Sequence, residues 1–484
     1  MQPVALALAL SIAAASAAFA SAPGSAEFPL GGRREAPPTP HSVSSTSDSP
    51  PNTLARQRQT VNCEPGTVNR GGAAAARLST GANITRWFRS PAKNTPDHFA
   101  NYIDDAEAAL IRSLGLTHVR LCVTPSIIAE PDMGAQASRL PEGGAVVRPV
   151  ASLETPKPPL PSTPRAAQPR STGREAPPIQ NPKSKIENSS APVTLIEPRI
   201  RDLETAIRRL NRAGLLVVLE LHYVPSLKKE QELDPAWQDY FTALWKTLSK
   251  RLASHDPDML MFELINEPGF DKHETEWIAF ATRLVAAIRE NASDHTIIVP
   301  GPQWGLLDGF LKMRPLPFEN LIYTFHYYEP FTFTTQGAAW ATFNPDLKHF
   351  RNVPYPSTPE AIAPLLPALA DRPTAKAKLQ RYGQERWNAQ KHAARFQLAL
   401  DWSKTHNVPL YCGEFGALKT HMLPEHRAAW LGDILKILRD NRIPWAIWGW
   451  DDAFGLSRKL QNATPVIDPQ TAEILKVGGA SRSP

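Results

Sequence analysis

The 484-residue chain has only three cysteines, Cys63, Cys122 and Cys412, too few for a disulfide scaffold, so its core must hold by packing. Cys122 and Cys412 lie in apolar, strand-like runs and read as small buried thiols, while Cys63 reads as free. No CxxC or HxH spacing is present, and neither a metal nor another cofactor is expected. Basic residues are not clustered: the formal net charge of +6 is spread along the chain and interleaved with Asp and Glu. This describes a solvated surface and argues against a nucleic-acid partner. The apolar run at residues 1–20 is short for a membrane span and lacks a preceding Lys or Arg. It ends in Ala18-Phe19-Ala20, the small-x-small pattern of a signal-peptide cleavage site. The expectation is a secreted or periplasmic protein, monomeric and with no membrane span in the mature chain.

What the chain has in plenty is proline, 48 residues, crowded before about residue 75 and between about 131 and 200. Residues 21–75 are rich in Ser, Pro, Thr, Gly and Arg without a lasting period, a composition that cannot bury enough apolar area to fold. Beyond them, short apolar runs alternate with amphipathic stretches, the pattern of βαβ units around a parallel sheet. The predicted strands are 80–84, 118–123, 215–221, 259–264, 296–299, 321–325, 409–412 and 444–448. Between them Leu203, Ile207 and Leu210 mark one apolar helix face, with Gly214 as the stop, and Trp277, Phe280, Ala281 and Leu284 mark another. The expected organisation is a signal peptide (1–20), a disordered segment (21–75), one α/β domain (76–475) and a flexible tail (476–484). A long proline-rich insertion, about 130–198, follows the second strand, and its composition favours a flexible segment over an ordered lid.

Two strands end in acids. The apolar run 259–265 gives way abruptly to Asn266-Glu267-Pro268, and 408–412 leads into Gly413-Glu414-Phe415-Gly416. A pair of carboxyls at the ends of separate strands is what glycoside hydrolysis requires, one to protonate the leaving oxygen and one to attack carbon.

These two motifs resemble the Asn-Glu-Pro and Gly-Glu-Phe-Gly signatures of glycoside hydrolase family 5, and the resemblance runs from about residue 78 to 456, apart from the insertion. It implies a (β/α)8 barrel, a TIM barrel, with Glu267 as acid/base on strand four and Glu414 as nucleophile on strand seven. It also implies an arginine on Glu414, matched by Arg120, which would favour the ionised carboxylate. Sugar contacts are implied for His222 and for Asn266, the latter toward the 2-hydroxyl. His326 and Tyr328 would flank the two acids, with Tyr327 on the opposite face. Trp448 would form the floor beneath the reacting sugar, Trp450 would sit one step outward or under the loop, and Trp304 is a further candidate on the aglycone side. The chain departs from the family pattern at Ser79-Thr80-Gly81-Ala82-Asn83, where an Arg-Gly-x-Asn run is common, and in the insertion.

The implied activity is retaining hydrolysis of β-1,4-glucan, with β-mannan or another β-glycan as the alternative substrate. Two rivals stand beside it: a carbohydrate-binding barrel without catalysis, and a metal-dependent hydrolase using His222 and His326.

Overall fold

The computed structural model describes residues 70–130, 193–223, 232–341, 343–459, 464–470 and 472–473. The signal-peptide reading, Cys63 and most of the insertion lie outside them. Strands β1 (Thr80–Phe88), β2 (His118–Val123), β3 (Leu216–Leu221), β4 (Leu260–Glu263), β5 (Ile297–Pro300), β6 (Leu321–Tyr327), β7 (Leu410–Phe415) and β8 (Trp445–Ile447) form a closed barrel in chain order. Every neighbouring pair is parallel, including β1 with β8. Among the described residues, the helices of nine residues or more are α1 (Arg70–Leu78), α2 (Asp105–Ser113), α3 (Glu197–Arg212), α4 (Pro235–Leu252), α5 (Glu274–Arg289), α6 (Pro373–Glu385), α7 (Ala389–His406) and α8 (Pro424–Asp440). The two apolar stripes read from the sequence are the buried faces of α3 and α5, and Gly214 follows α3 with a φ of +77°.

The domain begins earlier than its composition suggests. Residues 70–75, read as part of a disordered stretch, belong to α1. Its Ala74, Ala75 and Leu78 pack against Leu216, Val218, Met261, Ile298, Ile322, Tyr411 and Ala446. These are inward-facing residues near the N-terminal ends of the strands, so α1 closes the bottom of the barrel. A run of alanines allows that close approach and carries good helix propensity.

The ends of the insertion are also fixed, which moves its predicted boundary at residue 198. Ala129 and Leu195 form an antiparallel bridge, with Glu130 N–H donating to Thr194 O at 2.9 Å and Ile196 N–H to Ile128 O at 2.9 Å. Helix α3 starts two residues later, so both ends of the excursion are tied down beside the C-terminal end of β2.

Strand alternation sorts the barrel interior into layers. On β3, Leu216 and Val218 meet the plug while Glu220 and then His222 continue the same inward column toward the mouth. The lower interior is therefore apolar and the upper interior is polar.

Candidate active site

Arg120, central on β2 and fully buried, is the hub of the upper layer. Its Nε and Nη2 donate to the two oxygens of Glu263 at 2.8 and 2.7 Å. Nη1 donates to Glu414 Oε1 at 2.7 Å and to Asn83 Oδ1 at 2.9 Å, and Nη2 to Asn266 Oδ1 at 2.9 Å. A third acid, Glu220, lies 3.7 Å from Nη1. Only a planar, multiply donating cation satisfies so many acceptors at once. Burial opposes the charge on Arg120, but Glu263, then Glu220 and Glu414, outweigh it and hold its pKa well above the ordinary arginine value. Burial, reinforced by Glu263 and Glu414 against the pull of Arg120, pushes Glu220 up to about 8.

The hydrogen-bond directions then follow in sequence. Arg120 can only donate, so Asn266 presents its oxygen to Arg120 and its NH2 to His222 Nε2, 3.3 Å away. His222 Nε2 accepts, and the ring proton sits on Nδ1, 3.0 Å from Glu220 Oε2.

Glu414 reaches the interior through an irregularity. Regular alternation from the inward Tyr411 would turn Glu414 toward the helices. The β6–β7 register instead steps from Phe325↔Cys412 to His326↔Glu414, skipping Gly413. This bulge turns the carboxylate into the barrel. A Cβ on Gly413 would come within 2.7 Å of Thr324 Oγ1 and 3.3 Å of His326 Nε2, which accounts for the glycine. Tyr328 Oη donates to Glu414 Oε2 at 2.9 Å, whereas Tyr327 points outward to His392 Nδ1 at 2.7 Å.

Glu267 stands just past β4 with a φ of +45°, an unusual conformation for a residue with a side chain. Three residues hold its loop in place. Glu232 accepts from Gly269 N at 2.9 Å and Phe270 N at 3.2 Å, Gln303 N–H donates to Gly269 O at 2.6 Å, and Trp304 N–H donates to Pro268 O at 2.8 Å. His326 Nδ1 lies 2.9 Å from Glu267 Oε1 and 3.5 Å from Glu414 Oε2. One ligating atom from each of Glu267, His326 and Glu414 falls within a mutual 4.8 Å. His222 belongs to a different group, with Cys122 and Glu220, so the two histidines of the metal-hydrolase rival do not share one centre.

All eight residues proposed from the sequence thus gather at the C-terminal mouth. Trp448 N–H donates to Phe415 O at 2.8 Å, and the Trp448 ring is 5.9 Å from that of His222. Trp450 packs beneath the loop, its Nε1 donating to Glu107 Oε1 at 2.7 Å. Trp304 is buried beside Gly269. Sequence reasoning missed Glu220, Glu263 and Glu232, and it discounted Asn83, which the structure shows orienting Arg120. It also missed the net electrostatics of Glu414: burial pushes this carboxyl above the ordinary range, Glu267 pushes it further, and His326, Arg120 and the Tyr328 hydrogen bond pull it only partly back.

A sequence model of the cellulase family, glycosyl hydrolase family 5, matches residues 185–454. The chain belongs to glycosyl hydrolase family 5. It is 27% identical over 261 residues to Endoglucanase 3 of Fibrobacter succinogenes, a match covering 52% of this chain and 39% of that protein. It is 26% identical over 254 residues to Endoglucanase C of Acetivibrio thermocellus, covering 51% and 71%. The chain therefore spans well under half of the first relative's length. Its fold is that of endoglucanase Cel5A from Thermotoga maritima, with a TM-score of 0.57 at 21% identity over 84% of this chain and 100% of that one.

The Tyr328 contact makes one expectation for a family 5 enzyme. Its hydrogen bond lowers the Glu414 pKa, so Tyr328→Phe must raise it. An ionised Glu414 is lost as pH falls through that pKa, so the acidic limb of the kcat/KM profile should move to higher pH. The rate at the optimum should fall about ten-fold, the scale of one hydrogen bond to a charged group. A limb that stays in place or moves down would remove Tyr328 from the control of Glu414.

Proposed function

We propose that the protein is a secreted, retaining hydrolase of β-1,4-linked glucan, with Glu414 as nucleophile and Glu267 as acid/base. The observation that carries this reading is that the two carboxyls share one histidine, His326 Nδ1 lying 2.9 Å from Glu267 Oε1 and 3.5 Å from Glu414 Oε2, which brings single oxygens of the pair close together. Retaining pairs stand about 5–5.5 Å apart and inverting pairs about 6.5–9.5 Å apart to admit a water. Arg120 and Tyr328 occupy Glu414 from two sides and aim it for in-line attack. His326 lies between the acids, where it can follow the proton as Glu267 gives it to the leaving oxygen and later takes one from water. Asn266, held by Arg120 and beside His222, is placed to contact the sugar 2-hydroxyl, a contact that strengthens as oxocarbenium character develops. The names of its relatives, mostly endoglucanases with one cellodextrinase and one β-xylosidase, favour glucan over mannan.

The test is a screen against soluble β-glucan, mannan and xylan, with NMR of the first product. A β-anomer from a β-linked glucan is expected, and activity should survive a chelator. An α-anomer would overturn the retaining assignment. A carbohydrate-binding barrel without turnover is the second reading. It rests on the burial of Glu267 and Glu414, each 1% exposed, and predicts glucan binding with no product from any of the three polymers.

A further inference from the structure

Arg89 immediately follows β1 at the barrel mouth and is only 6% exposed. Among the described residues its Nε, Nη1 and Nη2 have no hydrogen-bond partner and it forms no salt bridge. The guanidinium lies over the indole of Trp448, 5.1 Å from the ring centroid. A cation–π contact offsets part of the cost of burial but accepts none of the five N–H donors. The nearby acid Asp452 accepts from Thr85 Oγ1 at 3.2 Å and Phe454 N at 2.9 Å and from none of these donors. Arg120, the buried cation on the neighbouring strand, is by contrast paired with Glu263 and Glu414. A buried guanidinium left open beside the sugar platform is a costly arrangement unless a ligand completes it.

Position narrows the ligand. In a ring of eight strands, β8 lies opposite β4, and β1 adjoins β8. The Trp448–Arg89 pair therefore faces Glu267 from across the mouth, on the side of the glycone rather than of the group that leaves. A flat guanidinium with open donors is matched best by a carboxylate, which accepts two parallel hydrogen bonds and returns the missing charge. We infer that Arg89 recognises a carboxylate on the glycone, so that the preferred substrate is a β-glucan chain bearing a uronic acid unit on the far side of the cleft from Glu267.

This rests on the glycosidase reading and is tested apart from turnover. Two trisaccharides are titrated calorimetrically into the full chain carrying Glu414→Gln, which keeps them intact: cellotriose, and the same trisaccharide with glucuronic acid as its non-reducing unit. The acidic sugar should bind about ten-fold tighter or better, the scale of one charge-assisted pair. Adding Arg89→Met should erase the difference. That variant removes an unpaired buried charge and should melt no lower than its parent, and Arg89→Gln gives an independent reading of the same loss. Equal binding of the two sugars, a preference that survives both substitutions, or a lower melting temperature in both variants overturns the proposal. A failure of the hydrolase reading would appear elsewhere, as a wild-type protein that releases nothing from neutral glucan.

Discussion

Glu414→Ala is expected to lower kcat on β-glucan by on the order of 10⁴-fold or more, the scale seen when a member of a covalent catalytic set is removed. Glu267→Ala should behave differently, because general acid assistance contributes about 10²–10⁴-fold and only where the leaving group needs a proton. On a dinitrophenyl glycoside the first bond breaks without that proton, so Glu267→Ala should keep near-parental formation of the glycosyl-enzyme and stall before water attacks. Azide distinguishes the roles further. With Glu414 shortened it can attack from the vacated face and give the α-glycosyl azide. With Glu267 shortened it takes the place of water on the intermediate and gives the β-azide. The proposed separation of roles rests on the partners: Glu414 is gripped by Arg120 and Tyr328, while Glu267 Oε1 faces His326. The same anomer of azide from both variants would mean that the two roles are not divided between these acids.

The second large effect is expected at Arg120. Arg120→Met leaves the fully buried Glu263 and Glu414 without the guanidinium that holds them. Removing one partner of a buried ion pair costs about 3–5 kcal/mol, because the remaining charge is stranded. For a barrel of this size that corresponds to a fall in Tm on the order of 5–10 °C. Turnover should vanish with it, since Glu414 then faces burial and Glu267 with Arg120 no longer lowering its pKa. Arg120→Lys keeps one charge but cannot grip both Glu263 oxygens and Glu414 together, so it should recover part of the stability and little of the rate. Adding Glu263→Leu to Arg120→Met should restore part of the melting temperature and none of the activity. Calorimetric melting and kcat on one soluble glucan read both effects. An Arg120→Met protein that melts like its parent would show that the buried network contributes nothing to stability.

The barrel was legible because strands buried on both faces read as short continuous apolar runs, and the eight expected runs fall on the eight observed strands. The two acids were legible for the same reason, as abrupt polar endings to such runs. The acids beneath them were not. Glu220 and Glu263 sit inside apolar strands, and a single polar letter there looks like a solvent-facing position until the closed sheet brings both against Arg120. Asn83 looked like a departure because the residues before it differ from the family run, yet its own inward position on β1 is kept. The upward shift of Glu414 was unreadable because desolvation is set by everything packed around the mouth. The clamp of Glu232 on Gly269 and Phe270 joins loops with no shared periodicity. Helix α1 was missed because alanines next to a Ser- and Pro-rich stretch look like more of the same, although they are small for the sake of packing.

That helix imposes an order of assembly. It leaves the ribosome before any strand exists, yet the surfaces that receive it come from β3 through β8, so it waits for nearly the whole chain before it has anywhere to dock. A polypeptide trimmed to begin at Thr80, where the strand pattern starts, would close its ring of strands over an unstoppered floor. Water would then have a second way into the layer where Arg120 and its acids depend on dryness. This inconspicuous helix is thus the piece that makes the barrel a cup rather than a tube.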